Sequence, residues 1–129
     1  MRTMTIRLLS ATALAASLAV SATAQAAPDR VGETQMCVPM SKIDETPIID
    51  NKTILLKMRG RGNYKRIDLM GPCSGLTFSG YVHVVHVNQF CTSDPLRVLE
   101  PVGAVCMIDK IVNIDEAEAK ELLLRGRRR

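Results

Sequence analysis

Four cysteines, Cys37, Cys73, Cys91 and Cys106, constrain this chain more than any other feature. They lie 36, 18 and 15 positions apart. Zinc ligands and thioredoxin-type redox centres use close C-x-x-C pairs, and this spacing contains none. In a small exported domain an even number of cysteines reads as a disulfide framework, because the core alone is marginal and an oxidising compartment lets the bonds persist. Disulfides are therefore expected in preference to a metal site or free thiols.

Export is read from the N-terminus. Arg2 and Arg7 flank an apolar run from Leu8 to Ala22, and Ala24-Gln25-Ala26 presents small residues at the positions a signal peptidase reads. A signal peptide over residues 1–26, cut after Ala26, is the expectation. The run is too short and too rich in alanine for a membrane anchor, which wants about 20 strongly apolar residues. The remainder suffices for one small domain that is periplasmic and soluble after cleavage. Within it, 27–35 reads as a flexible lead-in, 36–125 as the disulfide-stabilised domain and 126–129 as a basic tail. Removing Arg2 and Arg7 lowers the formal net charge from +4 to +2, so global charge makes no case for nucleic acid.

Along the domain the pattern is mainly that of strands. Cys37 to Met40 is apolar but contains Pro39, which demotes it to an edge or bulged strand. Ile48-Ile49 resumes after a bend. Thr53 to Arg59 alternates, with Ile54, Leu56 and Met58 on one face, and Gly60-Arg61-Gly62-Asn63 supplies a hairpin loop before Tyr64 to Met70 returns. Tyr81 to Val87 is nearly pure β-former and reads as a central strand covered on both faces. A short strand around Leu96 to Leu99 and a last one over Val105 to Ile114 follow. Asp115 then reads as a helix N-cap, with Glu118 three residues on and arginines at the far end.

The fold class expected is mainly β (α+β): a small antiparallel meander or partly closed barrel of about six strands, disulfide-stapled, with a C-terminal helix. In an up-and-down order Cys37 and Cys91 fall at one end of the sheet and Cys73 and Cys106 at the other. Since bridged Cα atoms must lie within about 7 Å, this favours Cys37–Cys91 and Cys73–Cys106 among the three connectivities.

The series Cys37-Val38-Pro39-Met40, Ile49-Asp50-Asn51-Lys52-Thr53, Cys73-Ser74-Gly75-Leu76, Phe90-Cys91 and Cys106-Met107-Ile108 resembles a family of small exported, four-cysteine bacterial proteins described only as a domain of unknown function. The likeness runs over nearly the whole mature chain and departs at Arg66-Ile67-Asp68 and at Asp109-Lys110. It implies export and a compact, mainly β domain. It brings no catalytic residue with it.

Candidate sites are few. Lys57, Arg59, Arg61, Lys65 and Arg66 flank the hairpin tip and read first as a solvated hairpin; the functional alternative is an anion-binding hairpin for an anionic envelope surface. His83 and His86 tempt as a metal pair, but residues three apart in a strand point to opposite faces, so ordinary strand histidines are the reading. Met36, Met40, Met58, Met70 and Met107 read as core filler. Asp44, Asp50, Asp68 and Asp94 are scattered, and nothing pairs them as acid and base. No enzyme, cofactor or resident metal is therefore expected. The function expected is that of a monomeric, non-enzymatic binding or structural domain of the cell envelope, facing an envelope protein or ligand. A periplasmic metal-handling protein for copper or zinc is the alternative.

Overall fold

The computed structural model describes residues 30–84, 87–99 and 103–129. The expected signal peptide with its cut after Ala26, positions 27–29 of the lead-in, and His86 lie outside the described residues. In chain order the strands are β1 (Thr34–Gln35), β2 (Cys37–Pro39), β3 (Ile43–Glu45), β4 (Ile48–Asp50), β5 (Thr53–Met58) and β6 (Tyr64–Leu69). After a short helix α1 (Leu76–Ser79) come β7 (Tyr81–His83), β8 (Gln89–Cys91), β9 (Pro95–Val98) and β10 (Val105–Ile114), and helix α2 (Glu116–Arg127) closes the chain.

The architecture is mainly antiparallel β with one substantial helix. The main sheet runs β3-β5-β6-β10-β9-β7 and curls into a half-barrel, with β4 also paired to β5 and β1 to β10. It is two three-stranded meanders joined along β6 and β10, rather than six strands in sequence. The chain leaves β6 at the centre, crosses to the far edge as β7, and works back through β9 to β10. A separate ribbon pairs β2 with β8.

Alternation builds the two faces. Ile54, Leu56 and Met58 of β5 and Ile67 and Leu69 of β6 turn into the concave interior, where they meet Leu96, Val98, Ile108 and Ile111. The β2–β8 ribbon adds Val38 and Phe90 to this core, and α1 adds Leu76. The tip between β5 and β6 turns on Gly60 at φ 100° and Gly62 at φ 74°, a region that residues with a Cβ rarely adopt. On β10, Ile108 faces Leu69 and Lys110 faces Asp68, so Asp109 is an extra, bulged residue. The bulge reverses the parity of the strand, which lets Ile108 before it and Ile111 after it both point inward.

Helix α2 covers part of the convex face. Ala119 and Leu122 pack on Leu55, Val112, Ile114 and Ile49. Asp115 caps the helix by accepting from the Glu118 N–H at 2.8 Å, Glu116 and Glu118 sit in the first turn, and Arg125 and Arg127 sit in the last. Arg66 on β6 ties the helix down through Glu118, and Arg125 reaches Asp50 at 3.0 Å. A Cβ placed on Gly126 would stand 3.5 Å from the Ile49 Cα. The helix thus runs past residue 125, and Gly126 is a packing position on β4.

Two further expectations are corrected. Arg30 to Gln35, the described part of the lead-in, is tied to β10: the Gly32 N–H donates to the Asn113 carbonyl and the Asn113 N–H to that of Glu33. Backbone pairing needs no apolar side chains, so the polar composition concealed it. Among the described residues the Tyr81 strand is an edge, paired with β9 alone and bare on its outer face, where Val82 and Val84 are exposed. A run of β-formers looks alike whether its second face is buried or open.

The cysteines join as Cys37–Cys91 and Cys73–Cys106, with Cα separations of 4.0 and 5.8 Å. The first pair faces across the β2–β8 ribbon, and the second fastens the β6–β7 crossover to β10. Over sequence separations of 54 and 33, each bond contributes about 4 kcal/mol by chain entropy, and the pair less than the sum because the loops overlap. Cys37 is exposed whereas Cys73 is wholly buried. Limited reduction by a small thiol, trapped by alkylation and read by mass spectrometry, is expected to label Cys37 and Cys91 before Cys73 and Cys106. At Gly126, substitution by Leu is expected to lower stability in urea by about 1–3 kcal/mol through overpacking on Ile49. Ala there should be neutral or slightly stabilising, because the space accepts one methyl and the helix favours it.

Candidate functional site

The five cations of the hairpin are divided by the alternation of β5 and β6. Lys57 meets Glu45 at 2.5 Å, and Arg66 is held by Asp68 at 2.8 Å and by Glu118. Lys65, only 5% exposed, points inward and donates to Asn113 Oδ1 at 2.7 Å. Arg59 and Arg61 alone of the five lie exposed in the loop with no acidic partner among the described residues. Three of the five thus serve packing and helix docking, which weakens the hairpin as a concentrated anion site.

His83 stands in a more structured environment. Its imidazole is 3% exposed, stacks on Phe90 with ring centroids 4.0 Å apart, and places Nε2 2.9 Å from Asp94 Oδ2. The same carboxylate oxygen accepts the Cys91 N–H at 2.7 Å. Asp94 follows a tight turn in which Ser93 has φ 68° and donates its N–H to the Ile108 carbonyl. The histidine is thereby locked to the loop that carries one disulfide. As for a metal pair, His86 lies outside the described residues, and among the described residues no three His, Cys, Asp or Glu side chains converge as a metal centre.

Beside His83 the two edges of the half-barrel leave a cleft of about 480 Å³. Met40, Ile43 and Ile48 line the β3–β4 side; Tyr81, His83 and Phe90 line the other. Tyr81 Oη and His83 Nδ1 are buried without a hydrogen-bond partner among the described residues. Burial pushes the Tyr81 phenol above its ordinary pKa, and the nearby Thr46 side chain offsets part of that rise without closing a hydrogen bond. The hydroxyl therefore stays protonated and able to donate.

The convex face over β7, β9 and the start of β10 is the second feature. Val82 pairs with Arg97, which pairs with Val105, so the three form a cross-strand row pointing away from the core. Val82, Val84, Leu99 and Val105 are 43–56% exposed, and α2 covers only the other half of the sheet. The ladder sends the Val84 N–H to Pro95 and the Leu99 N–H to Gly80, which leaves the backbone groups of Tyr81 and His83 facing outward from the sheet edge. The methionines divide likewise: Met58 is buried, whereas Met36 and Met70 are exposed.

Comparison of the chain with family models, with curated proteins and with solved structures finds no match. The cleft and the bare face both escaped the sequence reading. Asp94, at the end of the Cys91-Thr92-Ser93 turn, was the available signal, since a turn aspartate commonly accepts a nearby N–H. Its partner His83, eleven residues earlier, is set by tertiary structure. Asp94→Ala leaves His83 Nε2 and the Cys91 N–H unpaired, so a loss of about 1–3 kcal/mol is expected by urea denaturation.

Proposed function

We propose that this chain is an exported, periplasmic, non-enzymatic binding domain that docks an extended segment of a cell-envelope protein onto the edge and outer face of β7. The observation that carries the reading is the exposed row Val82–Arg97–Val105 beside a strand edge with no partner among the described residues. An added strand satisfies the outward N–H and C=O groups of Tyr81 and His83, and its alternate side chains lie on the valines. Arg97, without an acidic partner among the described residues, selects a strand with a carboxylate between apolar residues.

The two disulfides support an oxidising compartment, and no helix among the described residues is long and apolar enough to cross a membrane. The metal-handling alternative would draw on His83, whose Nε2 is occupied by Asp94. The resemblance to exported four-cysteine domains bears on export and brings no activity with it.

The test uses a photo-crosslinking residue placed in turn at Val82, Val105 and, as a control, Glu121 on the exposed side of α2. In bacteria secreting the chain, adducts with an envelope protein are expected from the first two positions only. Peptide mapping should place an acidic, otherwise apolar segment opposite them, and Arg97→Glu should abolish the adducts while the melting profile is retained. Adducts from all three positions, or from none, would refute the reading. N-terminal sequencing of the periplasmic fraction should begin at Ala27.

A further inference from the structure

The cleft between the edges β3 and β7 adjoins the β7 edge on which the docking proposal rests, and it carries its own chemistry on the concave side. Its walls are Met40, Ile43, Ile48 and Phe90 with Thr46 among them, no Asp, Glu, Lys or Arg lines it, and its volume of about 480 Å³ falls in the range of small-molecule sites. Against this wall stand two buried polar atoms, Tyr81 Oη and His83 Nδ1, with no hydrogen-bond partner among the described residues. A buried polar atom left unpaired loses its hydration with nothing in return. Two on one strand face, i and i+2, lining one cleft are the mark of a site that is completed by something else.

The hydrogen-bonding sense of each atom follows from its neighbours. Nε2 faces a carboxylate oxygen and so donates, and in the tautomer this selects, Nδ1 carries the lone pair that accepts. Stacking on Phe90 and the bond to Asp94 prevent the ring from turning away. The Tyr81 hydroxyl retains its proton and donates. Together they set one acceptor and one donor beneath the surface of a cleft whose remaining lining is apolar except for Thr46.

We infer that this cleft binds an uncharged, apolar small molecule through a hydroxyl group, which donates to His83 Nδ1 and accepts from Tyr81 Oη. A hydroxyl matches both atoms at once, whereas a carboxylate supplies no proton to Nδ1 and an ammonium supplies no acceptor for the phenol. Both atoms lie beneath the surface of the cleft, and the unbranched, half-buried Met40 is the wall residue with freedom to move aside.

The experiment titrates the oxidised protein with 4-propylphenol and, in parallel, with its methyl ether, which keeps the apolar body but has no proton to donate. Amide and imidazole resonances are followed by NMR. The phenol is expected to bind at least about fivefold more tightly than the ether, the worth of one hydrogen bond. It should shift the His83 Nδ1 resonance and the amides of Ile43, Tyr81 and Phe90, while the ether leaves Nδ1 unmoved. Tyr81→Phe should weaken the phenol severalfold and leave the ether unchanged. Equal binding of the two probes, shifts confined to another surface, or no shift at millimolar phenol would overturn the inference. Should Tyr81→Phe fail to melt cooperatively, the comparison of the two probes on the unaltered protein still decides.

Discussion

The pairing of β10 with β6 is the interaction on which the rest of the domain depends. It joins the two meanders into one sheet, and it holds across a change of register at Asp109. Without that extra residue a ten-residue strand would offer a single face to the interior. With it, the first half of β10 completes the wall formed by β9 and β7, and the second half completes the wall formed by β5 and β6. The same shift turns Val112 and Ile114 outward, where α2 lies. One bulged residue therefore sets the concave core, the seat of the helix and the bare region beyond it.

The concave core of a half-barrel still needs a lid, and this chain uses inserts rather than further strands of the main sheet. The β2–β8 ribbon brings Val38 and Phe90, and α1 brings Leu76. Neither insert is large enough to hold its place alone; an isolated two-stranded ribbon is marginal in water. Each carries a disulfide: Cys37–Cys91 locks the two strands of the ribbon together, and Cys73–Cys106 ties the segment leading into α1 to β10. The His83–Asp94–Cys91 contacts extend the first fastening into the sheet edge.

Local signals were legible in the sequence and non-local ones were not. The hairpin over Thr53 to Leu69 could be read because alternation and its glycine loop are properties of adjacent residues, and α2 because Asp115 and Glu118 announce a cap. The cysteine pairing was reached from strand ends, although in the structure Cys37 and Cys91 face each other on a ribbon separate from the main sheet. The placement of β7 was hidden, since Tyr81, Val82 and His83 suit a central strand as well as an edge. So was the inward turn of Lys65, which depends on Asn113 arriving opposite it from 48 residues away. The cleft depends on two edges, β3 and β7, whose proximity arises only after the whole sheet has curled.

Arg97 has a consequence for the solution behaviour of the molecule. It interrupts the row of valines on the convex face at the middle strand of three, so two copies brought edge to edge or face to face would bury like charges against one another. β7 is also only three residues long, and β9 begins with a proline. A short rim, a ring nitrogen without a proton and one guanidinium are the ordinary gatekeepers against fibril growth. They oppose strand-to-strand growth from a border that has no partner among the described residues.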